Sequence, residues 1–273
     1  MRHLATLLTA CLLAVPALAG CGAEDVDPAA LAHAADATSR QGGMHMTGTG
    51  RVETGGKSVS MTFEGDVDVA NRAVRMTFEA TAEGQDVSGE QVMKDTTLYM
   101  RMDAFEQAFG TEWVKMDLEA VGEEAGLDFG ALQQLGAQNP ADQLAWLRAT
   151  SELERVGEEK LDGVETTHYK ARIDVRRVPQ VAPAGERAAV QRAIDRMVEL
   201  TGTTTIPTEV WVDGRDLVRR QRLTMKQTKP AESTTTLDMR FSDYGKRVTI
   251  EAPEGEVKDL TELLKKELGR QSP

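Results

Sequence analysis

The chain is poor in cysteine, histidine, aromatic residues and positive charge, and each shortage removes a class of answer. Only two cysteines occur among 273 residues, Cys11 and Cys21. That excludes a disulfide framework and any cysteine-built metal site. A chain of this length without cross-links must be held by its own apolar core. The four histidines, His3, His33, His45 and His168, do not stand at metal-ligand spacing, and none joins a His-Glu-x-x-His pattern. A Gly-x-Ser-x-Gly elbow, a phosphate loop and a nucleotide fingerprint are all missing. The sequence therefore predicts no catalytic residue, no metal and no cofactor, and it reads as a non-enzyme. Lys and Arg total 32 against 44 Asp and Glu, a net charge of −12. A nucleic-acid partner would demand a basic footprint, so that class is excluded. A polybasic patch for anionic lipid head groups is lacking too. Long apolar runs are confined to Leu4–Ala19. That run is shorter than the roughly 20 apolar residues a membrane-spanning helix needs.

What is present begins with that run. Arg2 and the chain amine precede it, and the small residues Ala19 and Gly20 close it. A charged start, a short apolar core and a small-residue end describe a secretory signal. The string Leu18-Ala19-Gly20-Cys21 resembles the bacterial lipobox at all four positions. The resemblance implies cleavage between Gly20 and Cys21 and a thioether-linked diacylglycerol on Cys21. Each buried methylene is worth about 0.8 kcal/mol, so one acyl chain binds marginally and two anchor stably. The expected organisation is a signal peptide over residues 1–20, a short anchor spacer over 21–26, and one domain over 27–273. The expected place is the extracytoplasmic face of a cell membrane, with the lipid on Cys21 as the anchor.

Within the domain the period of the apolar residues decides the elements. Asp27-Pro28 marks a helix start, and an Ala-rich helix runs from about Pro28 to Arg40. From Met44 the period becomes two: Met44 to Val52, Val59 to Val69, Val74 to Ala80, then runs around Val92 and Leu98–Met102. Turns at Gly55-Gly56, Asn71-Arg72 and Glu83-Gly84 separate them. Such alternation predicts an antiparallel meander with one buried face. A short helix at Asp103–Phe109, a strand at Trp113–Met116 and helix-like segments from Leu118 to Ala149 follow. Strands resume at Glu152, turn at Asp162-Gly163, and continue as a long strand from Val164 to Val178. An amphipathic helix at Glu186–Leu200, three strands between Ile206 and Phe241, a short strand at Val248–Ile250 and a C-terminal helix complete the reading. The predicted class is α+β: a curled antiparallel half-barrel sheet of about eleven strands with helices packed on its concave face.

Methionine is used where strands usually take Val, Ile or an aromatic. Met44, Met46, Met61, Met76, Met100, Met102, Met225 and Met239 fall on the apolar phase, together with Phe63 and Phe78. Methionine is flexible and polarizable, so a surface built from it adapts to apolar partners of varied shape. These ten residues are the candidate lining of an apolar cavity for acyl chains. The same pattern serves an ordinary core, where Met fills the gaps beneath packed helices. Gly48, Gly50 and Gly65 share the face; glycine there marks a bulge, a bend or close approach of a ligand, and a bend is expected.

Three strings carry a wider resemblance. They are Gly157-Glu158-Glu159-Lys160-Leu161-Asp162-Gly163-Val164-Glu165-Thr166-Thr167-His168-Tyr169, then Pro207-Thr208-Glu209-Val210-Trp211-Val212-Asp213 with Leu217-Val218-Arg219-Arg220, and Phe241-Ser242-Asp243-Tyr244-Gly245 with Ile250-Glu251-Ala252-Pro253. They resemble actinobacterial lipoproteins of the LppX/LprG type, distantly similar to LolA and LolB. The resemblance implies a half-barrel over helices and an apolar cavity for lipid, acylated glycolipid or lipoprotein acyl chains. The function it implies is a monomeric, membrane-anchored, non-catalytic carrier of lipid. The alternative is an envelope interaction or sensor-accessory lipoprotein with a filled core and no lipid cargo.

Overall fold

The computed structural model describes residues 29–82, 84–124, 144–182, 184–185 and 187–271. Twelve strands form one sheet: β1 (Gly43–Thr54), β2 (Lys57–Asp68), β3 (Ala73–Ala82), β4 (Gln85–Lys94), β5 (Thr97–Arg101), β6 (Trp113–Asp117), β7 (Thr150–Leu161), β8 (Val164–Asp174), β9 (Thr205–Asp213), β10 (Val218–Gln227), β11 (Ser233–Ser242) and β12 (Val257–Asp259). Their order is β12-β6-β5-β4-β3-β2-β1-β11-β10-β9-β8-β7. Every pairing is antiparallel except β12 with β6. The sheet is open and curled, and the fold is α+β. Two meanders, β1–β6 and β7–β11, join where β1 pairs with β11.

A tight hairpin sets the register at the start of each meander. Gly55 and Gly56 both have positive φ, as do Asp162 and Gly163. Two consecutive positive φ values match the right-handed strand twist, so these two-residue turns close β1–β2 and β7–β8 without splaying them.

Among the described residues six α-helices accompany the sheet: α1 (Ala29–Ser39), α2 (Asp103–Phe109), α3 (Leu118–Glu124), α4 (Val178–Val181), α5 (Arg187–Thr201) and α6 (Thr261–Gln271). In α1 the buried residues are Leu31, Ala34, Ala35 and Thr38. That spacing is one helical stripe, and its alanines let the helix approach closely. The Thr38 hydroxyl accepts from the Val218 amide at 3.0 Å, which ties the end of α1 to the start of β10. In α5 the stripe is Val190, Ala193 and Ile194, with Met197 packed beside them. These stripes, with Leu144 and Leu147 of the 3-10 helix Leu144–Ala149, meet Met44, Met46, Val67, Val74, Met93, Met239 and Phe241 in the main core.

Two expected strands are corrected. The strand predicted from Val164 to Val178 ends at Asp174, and a 3-10 turn and α4 follow. The Asp174 carboxylate accepts from the Arg176 amide at 3.0 Å, and Pro179 suits a helix start. Burial of Val175 and Val178 then turns the chain onto the apolar face. The strand predicted at Val248–Ile250 is an extended strap without ladder pairing, and the last strand is Val257–Asp259. Val248 and Ile250 pack on Ala73, Val92, Tyr99 and Trp113, a small apolar patch on the otherwise polar face. That patch draws the segment across the sheet, and Lys94 holds it through Glu251 at 2.8 Å. The segments read as helix-like between residues 125 and 143 lie outside the described residues, as do residues 1–28.

The strap's anchorage makes a measurable prediction. Ile250 is almost fully buried, and truncating such a residue typically costs about 2–5 kcal/mol. Ile250→Ala is expected at the lower end, ~2 kcal/mol, because its site lies at the protein surface and can relax. A urea denaturation series reads this as a lower midpoint.

Candidate functional site

Cross-strand register places all ten candidate lining residues on one face of the sheet. Met46 lies opposite Gly65, which lies opposite Met76; Gly48 lies opposite Phe63, which lies opposite Phe78. Met239 faces Gly48, Gly50 faces Met61, and Val52 shares a row with Met225 through Thr235. Met100 faces Gln91 in the same row as Met76, and Met102 follows in phase. Strand side chains alternate faces, so this register defines a single apolar surface running from β5 to β10.

That surface has two parts. Met44, Met46 and Met239 are fully enclosed among the helices. Met61, Phe63, Met76, Phe78, Met100, Met102 and Met225 remain partly exposed. At its outer margin Val52, Val59 and Val87 keep 38%, 39% and 39% of their surface in solvent. The helical stripes therefore cover the ends of the strands near Met44 and Met93, while the opposite ends of β1–β4 are less covered. A partly uncovered apolar area of this kind marks a binding or interaction surface more often than an idle one.

Glycines shape this surface by close approach. A Cβ on Gly48 would stand 2.4 Å from the end of the Phe63 ring, and one on Gly89 would stand 2.7 Å from the end of the Phe78 ring. The two rings therefore reach over opposite neighbours. A Cβ on Gly50 would meet Met61 at 2.8 Å. The ladder passes through Gly48, Gly50 and Gly65 without a register shift, so no bulge sits at these residues. At Gly48, Gly50 and Gly89 the missing side chain makes room for Phe63, Met61 and Phe78, producing a shallow apolar floor, while at Gly65 the backbone of β3 itself comes close.

Near the middle of this face sits a fully buried amide side chain, Gln221. It is opposite Met239 on one side and Val210 on the other. It is 0% exposed, and neither its amide nitrogen nor its amide oxygen has a hydrogen-bond partner. Sequence reading missed it, although the signal was there: Gln221 shares the phase of Leu223 and Met225 in β10.

The opposite face is polar and closely paired. Asp238 accepts from Arg220 at 2.7 and 2.6 Å and from Arg222 at 3.0 and 2.7 Å. Burial opposes ionisation of Asp238, but the hydrogen bonds from Arg220 and Arg222 outweigh it and hold the carboxyl below the usual range. The Trp211 ring stacks on His168 at 4.2 Å and lies beneath the Arg220 guanidinium at 4.5 Å. His168 bonds Glu209 at 2.9 Å, and His45 bonds Asp66 at 3.0 Å. Both histidines are thus tied to carboxylates on neighbouring strands. Open furrows of about 510 and 960 Å³ lie along this face, lined by groups such as Thr47, Thr49, Thr62, Glu79, Arg220 and Asp238. Hydroxyls and paired charges offer a poor bed for a hydrocarbon chain. Among the described residues no group of three or more His, Cys, Asp or Glu could hold a metal ion, and no helix is long and apolar enough to cross a membrane.

Residues 27–250 match the LppX_LprAFG lipoprotein family. The chain belongs to this family. Among related sequences, it is 30% identical over 172 residues to a lipoprotein candidate of Streptomyces coelicolor, covering 61% of this chain and 49% of that one. It is 28% identical over 162 residues to a 31.2 kDa protein of Streptomyces griseus encoded between rplA and rplJ, covering 57% and 50%. The chain thus matches these relatives over about half their length. Among solved structures, the lipoprotein LppX of Mycobacterium tuberculosis aligns with a TM-score of 0.46 at 15% identity, covering 83% of this chain and 100% of that one. LprF from Mycobacterium bovis gives 0.46 at 15%, covering 84% and 97%.

Two predictions follow from the two faces of this lipoprotein-family sheet. Gly48→Ala would press a methyl group against the Phe63 ring and the Asp238 carbonyl oxygen, the latter at 2.7 Å. Overpacking of this kind costs about 1–3 kcal/mol, and thermal melts should show the loss. Asp238→Asn removes the charge between two arginines that are held on the same carboxylate. The wild-type stabilisation belongs to the ionised form, so it is present above the ordinary value of 3.8 and lost as pH falls through the lower folded value. The variant should be less stable by ~1–2 kcal/mol near neutrality, and the gap should close in strong acid. Urea midpoints across the acid range check both the size and the sign.

Proposed function

We propose that this lipoprotein-family chain is a non-catalytic, membrane-anchored carrier that holds acyl chains on the partly covered apolar face. The observation that carries the reading is the continuous Met- and Phe-lined surface whose outer half stays partly exposed. Burying hydrocarbon there gains about 25 cal/mol for each Å² of apolar area removed from water. Flexible methionines suit chains of varied length and saturation. The glycines let Phe63, Met61 and Phe78 reach across neighbouring strands, which keeps the floor shallow and apolar. The lining consists of Met61, Phe63, Met76, Phe78, Met100, Met102 and Met225, with Met44, Met46 and Met239 at its enclosed end.

In the same reading the chain is made as a precursor. Residues 1–20 are removed, the diacylglyceryl group on Cys21 enters the outer leaflet, and residues 21–26 link it to a single domain over 27–273. The protein then works as a monomer on the extracytoplasmic face. A short spacer keeps the apolar face near the bilayer from which acyl chains are taken. Ligands are lipids or acylated glycolipids, and no metal or cofactor takes part.

A second reading is favoured by the complete burial of Met44, Met46 and Met239. In it the core is filled, and the protein is an envelope interaction or sensor-accessory lipoprotein without cargo.

Uptake of a fluorescent acyl probe by the protein lacking residues 1–21, joined to mass spectrometry of its organic extract, separates the two. The carrier reading expects saturable uptake and co-purifying lipid. It also expects Phe63→Asp, which puts a charge on the floor, to weaken uptake by tenfold or more. Neither uptake nor extractable lipid would leave the filled-core reading in place. For the anchor, Cys21→Ala in the full chain should move the protein from the membrane fraction to the soluble one.

A further inference from the structure

We infer that the Gln221 carboxamide is a polar anchor within the apolar layer, selecting acyl ligands whose polar end both donates and accepts a hydrogen bond. The inference rests on the carrier reading and narrows its ligand class. It starts from a burial that the fold alone does not explain. Gln221 is completely enclosed, and both amide atoms lack partners. Its cross-strand neighbours are Met239 and Val210, and Leu223 is next on the same face. The nearby Thr208 hydroxyl already donates to the Ile206 carbonyl at 3.3 Å. A buried amide without partners is costly, and a Leu or Met at this place would avoid the cost. Ordered water is a poor substitute, because a buried water needs two to four polar partners, and the side chains of Met239, Val210 and Leu223 supply none.

The two orphan atoms define what would satisfy them. The amide nitrogen donates and the amide oxygen accepts. An ester carbonyl accepts only, so it would leave the oxygen empty. A hydroxyl, or a carboxyl kept protonated by burial, answers both atoms at once.

The register also supplies a route. Phe78, Phe63, Gly48, Met239 and Gln221 form one row across β3, β2, β1, β11 and β10. Four strand spacings separate its ends, on the order of 19 Å. A hydrocarbon chain lying on the partly exposed floor over Phe78 and Phe63 points its inner end at Gln221. The Phe63 ring reaches across Gly48 along the way, so the apolar floor is unbroken up to Met239. Met239, the one large side chain between them, is of the type that rearranges most readily.

Titration of the protein lacking residues 1–21 with hexadecanol, hexadecanoic acid at acid pH and methyl hexadecanoate tests this. The wild type should bind the alcohol, the acid or both about tenfold more tightly than the ester. The alcohol and acid arms separate a hydroxyl-bearing ligand from a fatty acid. Gln221→Met should bring the preference to within about twofold, while its affinity for the ester and its unliganded melting temperature stay level or rise. An unchanged preference in Gln221→Met overturns the anchor, and so does a wild type that treats ester and alcohol alike; both leave the carrier reading standing. A strong fall in stability for both Gln221→Met and Gln221→Leu without ligand also overturns it, because the carboxamide would then serve the fold. Failure of all three probes to bind the wild type overturns the carrier reading and the anchor with it.

Discussion

The pairing of β1 with β11 holds the architecture together. It runs from His45 opposite Ser242 to Thr54 opposite Ser233 and joins the first meander to the second. Nothing local brings these strands together; the loop between them contains most of the chain, and closing it costs entropy before any contact repays it. What repays it is burial at the seam, where Met44, Met46, Met239 and Phe241 meet α1 and the Leu144–Ala149 turn. Thr38 fastens the same helix to β10. Without this seam there would be two half-sheets, each exposing an apolar face. With it there is one face, and Gly48 stands beside Met239.

The two faces solve different problems. On the polar face, side chains from neighbouring strands are joined in pairs and stacks, such as Arg220 and Arg222 on Asp238 and His168 on Trp211. These contacts run across strands, so they stiffen the sheet from its polar side. The strap through Val248 and Ile250 covers the only apolar cluster recorded there among the described residues. The apolar face can then stay partly uncovered near Val52, Val59 and Val87 without loss of the sheet itself. A stiff back and an adaptable front agree with a family of lipoproteins, and with the carrier function proposed for this member.

Much of this was legible in the residues because alternation is a local property. The phase of Met44, Met61, Met76 and Met100 predicts their common face, and the glycine turns predict the hairpins. The misreadings came where tertiary contacts override a local pattern. Val175 and Val178 look like a continued strand, but the Asp174 cap and the core turn them into helix. Val248 and Ile250 have strand-like residues, but the patch around Val92 takes them across the sheet. At Gly48 the structure adds a close approach by Phe63, which depends on a neighbouring strand and so leaves no mark in the run around Gly48. Cys21 and the signal before it stay an inference from sequence pattern, since residues 1–28 lie outside the described structure.

By itself the sequence determined the α+β class, the two-residue period and the set of apolar residues that share a face, because each depends on neighbours a few positions away. It also carries two cysteines and a net charge of −12. Only the tertiary structure decided which of those residues are enclosed and which stay partly exposed, because enclosure depends on where α1, α4 and α5 come to rest. It alone showed Gln221 fully enclosed between Met239 and Val210 with its amide unanswered, since that enclosure depends on what packs over β10 and not on the residues of β10 itself.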